Sequence, residues 1–115
     1  MPMIDSYSFG HMTIDGRSFR KDVIIYPDAT ILCPWWRQAG HHLDVTDIQS
    51  LIDMRPDLII AGTGSPGLMA PAKDLQEALQ KNGIEFVALP TGEAVKLFNE
   101  RAETIPTGGC FHLTC

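Results

Sequence analysis

Three places in this chain carry residue types that could do chemistry, and the first is a glycine string. Gly62-Thr63-Gly64-Ser65-Pro66-Gly67 fits the pattern G-x-G-x-x-G. In a dinucleotide site such glycines allow a tight turn and a close approach of backbone to pyrophosphate at a helix N-terminus. Two features count against that use. Pro66 and Pro71 delay the helix that should open inside the string, and the strand that follows ends Val87-Ala88-Leu89-Pro90 with no carboxylate for a ribose; Glu85 sits at its wrong end. A structural loop is the favoured reading. A weaker version stands as an alternative: the amides of Gly62, Thr63, Gly64, Ser65, Thr91 and Gly92, with the Ser65 and Thr91 hydroxyls, could hold a small anion or metabolite, against a plainer reading as turn and cap segments.

The second place is Trp35-Trp36-Arg37-Gln38-Ala39-Gly40-His41-His42, which mixes indoles, a guanidinium and imidazoles in an expected loop. Trp and Arg anchor interfaces because they bury much area with few frozen torsions. Trp35, Trp36, Arg37, His41 and His42 are therefore a candidate interaction surface. The competing reading has the indoles closing an edge of the core while Arg37 and a His stay solvated.

Cys110, His112 and Cys115 are the third. Residues 110 and 112 share a face of a strand, but structural zinc needs about four ligands, and no spacing rule brings Cys33, His11 or His41 to them. Buried thiols and a hydrogen-bonded His are the favoured reading, with no metal and no cofactor implied. A thiolate–imidazole pair fares no better, because side chains two apart on a strand do not meet head to head and no helix N-terminus lies behind either Cys. The acids show no paired arrangement; Asp28, Asp44 and Glu77 read as solvated. No catalytic residue is assigned.

The elements that must position these groups alternate in kind. Tyr7–Ile14 reads as a strand closed by the Asp15-Gly16 hairpin turn, followed by Val23–Tyr26 and Thr30–Cys33. Thr46 and Gln49 suggest a capping box that opens a helix ending at Arg55-Pro56. Leu58-Ile59-Ile60-Ala61 is a continuous apolar run, as in a strand covered on both faces. A second helix is expected from Pro71 to Lys81, stopped by Asn82-Gly83. Ile84–Leu89 follows as a strand, and Thr91 as the cap of a third helix. Gly108-Gly109 reads as a break before a last strand, Cys110–Cys115. The order predicts one α/β (α+β-like) domain over residues 1–115: three layers around a central mixed sheet, with an N-terminal antiparallel meander and then α-β-α-β-α-β. Both glycine turns should then share one rim of the sheet.

Several strings resemble the Mth-nine-three-eight-like (Mth938-like) family: Gly10; Gly16; Trp36-Arg37 with Gly40 and His41-His42; Pro56 to Gly64; Gly83-Ile84; Ala94-Val95 with Phe98-Asn99; and the tail Gly109-Cys110-Phe111-His112-Leu113-Thr114-Cys115. The resemblance covers nearly the whole chain. It implies a three-layer fold with a central mixed sheet and no established enzyme activity. The family includes an adipogenesis-associated protein and a mitochondrial complex I assembly factor, which implies roles in differentiation and assembly rather than a chemistry.

Composition sets the outer limits. The 115 residues carry a net charge of -5, with nine Lys and Arg scattered along the chain. That balance argues against nucleic acid and anionic membrane surfaces as partners. No apolar run is long enough for a membrane helix, and Met1–Ser6 lacks leader character. Without an address segment the chain is expected in the cytoplasm; an odd count of three Cys argues against a disulfide framework, and in that reducing setting they should be thiols. The expectation is a non-catalytic interaction or assembly domain with a protein partner, as a monomer or homodimer. A small-anion or metabolite site, or an enzyme, on the two glycine turns is the alternative.

Overall fold

The computed structural model describes residues 3–115, so the start of the Met1–Ser6 segment lies outside the described residues. β1 (Ile4–Ser8), β2 (His11–Ile14) and β3 (Arg17–Phe19) form an antiparallel meander. The stretch expected as one strand from Tyr7 is two, because Gly10 turns the chain with φ of 79°. Asp15 and Gly16 take φ of 48° and 80°, the geometry a type I′ turn requires. β4 (Val23–Ile25), β5 (Ile31–Leu32) and β6 (His42–Leu43) follow.

A 3-10 turn, Val45–Ile48, leads into α1 (Gln49–Asp53). The box that opens this segment lies two residues before the expected Thr46. The Asp47 carboxylate accepts the Asp44 amide at 2.9 Å, while Gln49 pairs with Asp53. Asp is the better cap, and the earlier pair satisfies the chain entry first. β7 (Leu58–Gly62) is buried throughout, as its apolar run predicts. β8 (Ala70–Pro71) takes up Pro71, and the Ala72 amide bonds the Leu43 carbonyl, so α2 runs Lys73–Lys81 rather than from Pro71. β9 (Glu85–Leu89), α3 (Thr91–Arg101) and β10 (Thr107–Phe111) complete the order.

Five strands make the central sheet, in the order β5-β4-β10-β7-β9. β10 pairs parallel to β7 and antiparallel to β4, and β9 pairs parallel to β7. The sheet is therefore mixed, with β10 in its middle. Alternation divides the core in two. Leu58, Ile60, Val23, Ile25 and Phe111 face the meander and α3, whereas Ile59, Ala61, Ile24 and Cys110 face α1, α2 and Trp35. The crossover through α2 runs from β7 to β9 and the one through α3 runs back past β7 to β10. Crossovers of one hand that reverse direction place their helices on opposite faces, which produces the three layers.

Gly108-Gly109 is no break. Both residues lie inside β10, where a Cβ at Gly108 would overlap Leu51 and one at Gly109 would overlap the Phe111 ring and crowd Phe98. The missing side chains let α1 and α3 press onto the central strand from either side. Gly108→Ala should therefore cost ~1–3 kcal/mol through overpacking, read from urea melts. Pairing it with Leu51→Ala should recover part of that loss, so the double variant is more stable than the sum of the two single effects predicts.

Candidate functional site

The antiparallel register of β4 and β10 pairs Val23 with Phe111. Asp22 and His112, the next residue outward on each strand, are thereby brought side by side. The His112 Nδ1 lies 2.8 Å from Asp22 Oδ2, and the Leu113 amide donates to Oδ1 at 2.8 Å. Arg37 arrives from the loop after β5, and its Nη1 donates to Oδ2 at 2.7 Å. A carboxylate only accepts, so Nδ1 carries the proton in this arrangement. Arg37 Nη2 stands 3.0 Å from the same Nδ1 but donates to the Gly40 carbonyl at 2.9 Å. The guanidinium also stacks on the Trp35 ring, 4.8 Å from its centroid.

Burial pushes the Asp22 carboxyl up, yet hydrogen bonds from His112, the Leu113 amide and Arg37 outweigh it and hold the group below its ordinary value. The Arg37 side chain is 5% exposed and that of His112 9%. His112 Nε2 and Arg37 Nε are buried and make no hydrogen bond. An Asp–His pair is thus present without a hydroxyl or thiol bonded to its outer nitrogen, which is the third member that nucleophile activation requires. The arrangement orients a loop and a tail.

Around it lies a cleft of about 300 Å³, lined by Arg20, Lys21, Pro34, Trp36, Leu113 and Thr114 besides the network itself. Within the Trp35–His42 segment the two expected alternatives are mixed. Trp35 is a core residue, 3% exposed, and its Nε1 donates to the Asp47 carbonyl at 2.9 Å. Trp36 turns outward and is 73% exposed. Arg37 is buried instead of solvated, and His41 and His42 are exposed. The His41 ring meets that of His112 edge-on at 6.3 Å between centroids.

The two glycine turns share one rim, as expected, and they are knotted together. Thr91 does not cap α3. It is buried in the helix start, where its hydroxyl accepts the Gly64 amide at 2.8 Å and donates to the His112 carbonyl at 2.6 Å. The Thr63 amide bonds Leu89, that of Ser65 bonds Thr114, and that of Thr91 bonds Gly64. Gly64 holds φ of 100°, and a Cβ there would overlap the Thr114 carbonyl. The string packs against the tail, and of the six amides considered for an anion those of Thr63, Gly64, Ser65 and Thr91 serve the chain itself while Gly62 lies inside β7, paired with β9 and β10. Gly92 is exposed at the start of α3.

Sequence reasoning missed Asp22, Arg20 and Lys21 as parts of one site. The signal was an acid directly ahead of the apolar run Val23–Ile25, next to the longest basic pair in the chain. The cysteines stay apart: Cys110 is buried, Cys33 half-buried and Cys115 exposed. Among the described residues no group of three His, Cys, Asp or Glu is placed to hold a metal ion, and no helix is long and apolar enough to cross a membrane.

Two outcomes follow. Asp22→Asn leaves Arg37 buried without its counter-charge and should cost about 3 kcal/mol near neutral pH. A carboxyl held low in the folded state contributes fully above its unfolded value and loses that contribution as pH falls through the folded one. Urea melts should therefore show the wild type losing stability below about pH 4 more steeply than the variant. Burial pushes the Cys110 thiol up to about 12. Alkylation of the native protein should label Cys115 first and reach Cys110 only on unfolding, as peptide mass mapping would show.

Solved structures share this architecture. The conserved hypothetical protein PH1505 from Pyrococcus horikoshii OT3 superposes with a TM-score of 0.83 at 26% identity, covering 97% of this chain and 98% of that one. The protein MT938 gives 0.83 at 26% identity with both chains fully covered. A Bordetella pertussis protein, described as a Mth938-like domain, gives 0.73 at 15% identity over 97% of this chain and 85% of its own, a likeness of fold alone. Residues 4–104 match the family described as "Protein of unknown function (DUF498/DUF598)". With most of its length inside that match and the same three layers, the chain belongs to the DUF498/DUF598 family and has the Mth938-like fold.

Proposed function

We propose that this protein is a non-catalytic binding module of the cytosol, and that its working surface is the cleft beneath Trp36. The observation that carries this reading is the contrast within one tripeptide. Trp35 is locked in the core and Arg37 is fixed by Asp22 and Gly40, so Trp36 is held outward at 73% exposure on a rigid base. Holding a large indole in water is unfavourable by the hydrophobic effect. A preformed support reduces the ordering cost of docking on it. The cleft gives a partner a wall of indole, a floor of buried polar groups and a cationic margin.

The alternative, an anion or metabolite on the Gly62–Gly67 and Thr91–Gly92 turns, has less support. A ligand there would have to displace the bonds from Thr63, Gly64, Ser65 and Thr91 to the chain's own acceptors. Exposed donors remain at Gly92 and the Ser65 hydroxyl, which is a thin set for an oxyanion.

Trp36→Ala should abolish capture of a reproducible partner from source-cell lysate while leaving the melting temperature within about 2 °C of wild type, since an exposed side chain contributes little to stability. Retained capture would remove the cleft from the reading. Arg37→Ala is unsuited to this test, because it breaks the buried ion pair and unfolding would mask any binding effect.

A further inference from the structure

We propose that the cleft docks an acidic segment of a partner protein, one with an aromatic or large apolar side chain beside its carboxylates. The inference rests on the binding-module reading and adds the partner's chemistry to it. The cleft's one carboxylate, Asp22, is engaged by His112, Arg37 and the Leu113 amide. Arg20 and Lys21, both exposed on its margin, have no carboxylate within ion-pair distance among the described residues. The local surplus is therefore positive, on a chain whose 14 acids outnumber its nine Lys and Arg. A cationic spot on an acidic molecule steers an acidic partner to one place, because the rest of the surface repels it.

Shape and donor geometry favour a peptide over a free phosphate. A volume of about 300 Å³ stands at the lower end of small-molecule pockets. It accommodates one or two side chains laid against Trp36. Tight phosphate sites converge several forks or amides on one point, and of the cleft's two guanidinium groups that of Arg37 is already divided between Asp22 and Gly40, which leaves Arg20 alone. What remains is one guanidinium, that of Arg20, and the Lys21 ammonium, both exposed beside a flat apolar face. That combination suits carboxylates carried next to a ring.

The peptide acetyl-Glu-Glu-Phe-Glu-Glu-amide tests this, titrated into the full chain while tryptophan emission is followed. Trp36 is the solvent-facing indole and Trp35 the buried one, so binding at the cleft should shift the emission of Trp36. Saturable binding is expected, and it should weaken as salt rises. Arg20→Glu combined with Lys21→Glu should weaken it by roughly tenfold or more, whereas Lys81→Glu at the end of α2 should leave it unchanged. If the double reversal unfolds the protein, Arg20→Gln with Lys21→Gln replaces it and should still give a clear loss. The sequence with Lys in place of each Glu should not bind, and the one with Gly in place of Phe should bind more weakly.

Lack of saturation, or equal losses from the Lys81 and the Arg20–Lys21 reversals, would overturn the proposal. So would inorganic phosphate matching the peptide, which would make the cleft a small-anion pocket. The underlying reading fails separately. Lysate capture that depends on Trp36 but ignores the Arg20–Lys21 reversal keeps the module and sinks its acidic partner.

Discussion

The Asp22 carboxylate holds together three stretches far apart in the chain: its own strand entry, the loop that carries Arg37, and the tail through His112 and the Leu113 amide. Each contact alone is ordinary. Joined on one half-buried acid they are interdependent, because removing any donor leaves the others facing a charge they no longer fully balance. The orientation of Trp36 is tied to this knot, since the residue stands between Trp35, bonded into the core, and Arg37, bonded to Asp22 and Gly40, and turns outward from both. The proposed working surface is in that sense an outgrowth of a structural interaction.

A second constraint lies under the first. β10 is squeezed between Leu51 of α1 and Phe98 of α3, and only glycine at 108 and 109 permits both approaches. This close packing sets the level of the sheet and so fixes where His112 emerges from it. The tail is tied down further by its carbonyls: that of Leu113 accepts both the Gly10 amide and the Tyr7 hydroxyl, and that of Thr114 accepts the Ser65 amide. Burial and the nearby Asp22 charge push the Tyr7 phenol above its ordinary value.

The elements were readable from the sequence where one local signal acted alone. The apolar run Leu58–Ala61, the Asp15-Gly16 turn and the Asn82-Gly83 stop each require only short-range chemistry, and each is in place. Two signals misled because tertiary packing overruled them. Glycines 108 and 109 look like a breaker until two layers are known to press on them, and Thr91 looks like a cap until Gly64 and His112 are known to need its hydroxyl. The site was harder still. Trp36, Arg37 and His112 stand out by residue type, but Asp22 joins them only through the pairing of β4 with β10, and the alternation within either strand does not say which distant strand it will pair with.

The position of β10 bears on how the molecule comes into being. It follows the other nine strands and the three helices along the chain yet lies between β4 and β7 at the centre of the sheet. During synthesis the meander and β4 leave the ribosome early, and β7, α2 and β9 later, as two halves with no ladder joining them. The strip of sheet edge on each half stays open until β10 is released and slots between them. Such late, long-range closure slows folding and exposes strand edges to wrong neighbours in the interval.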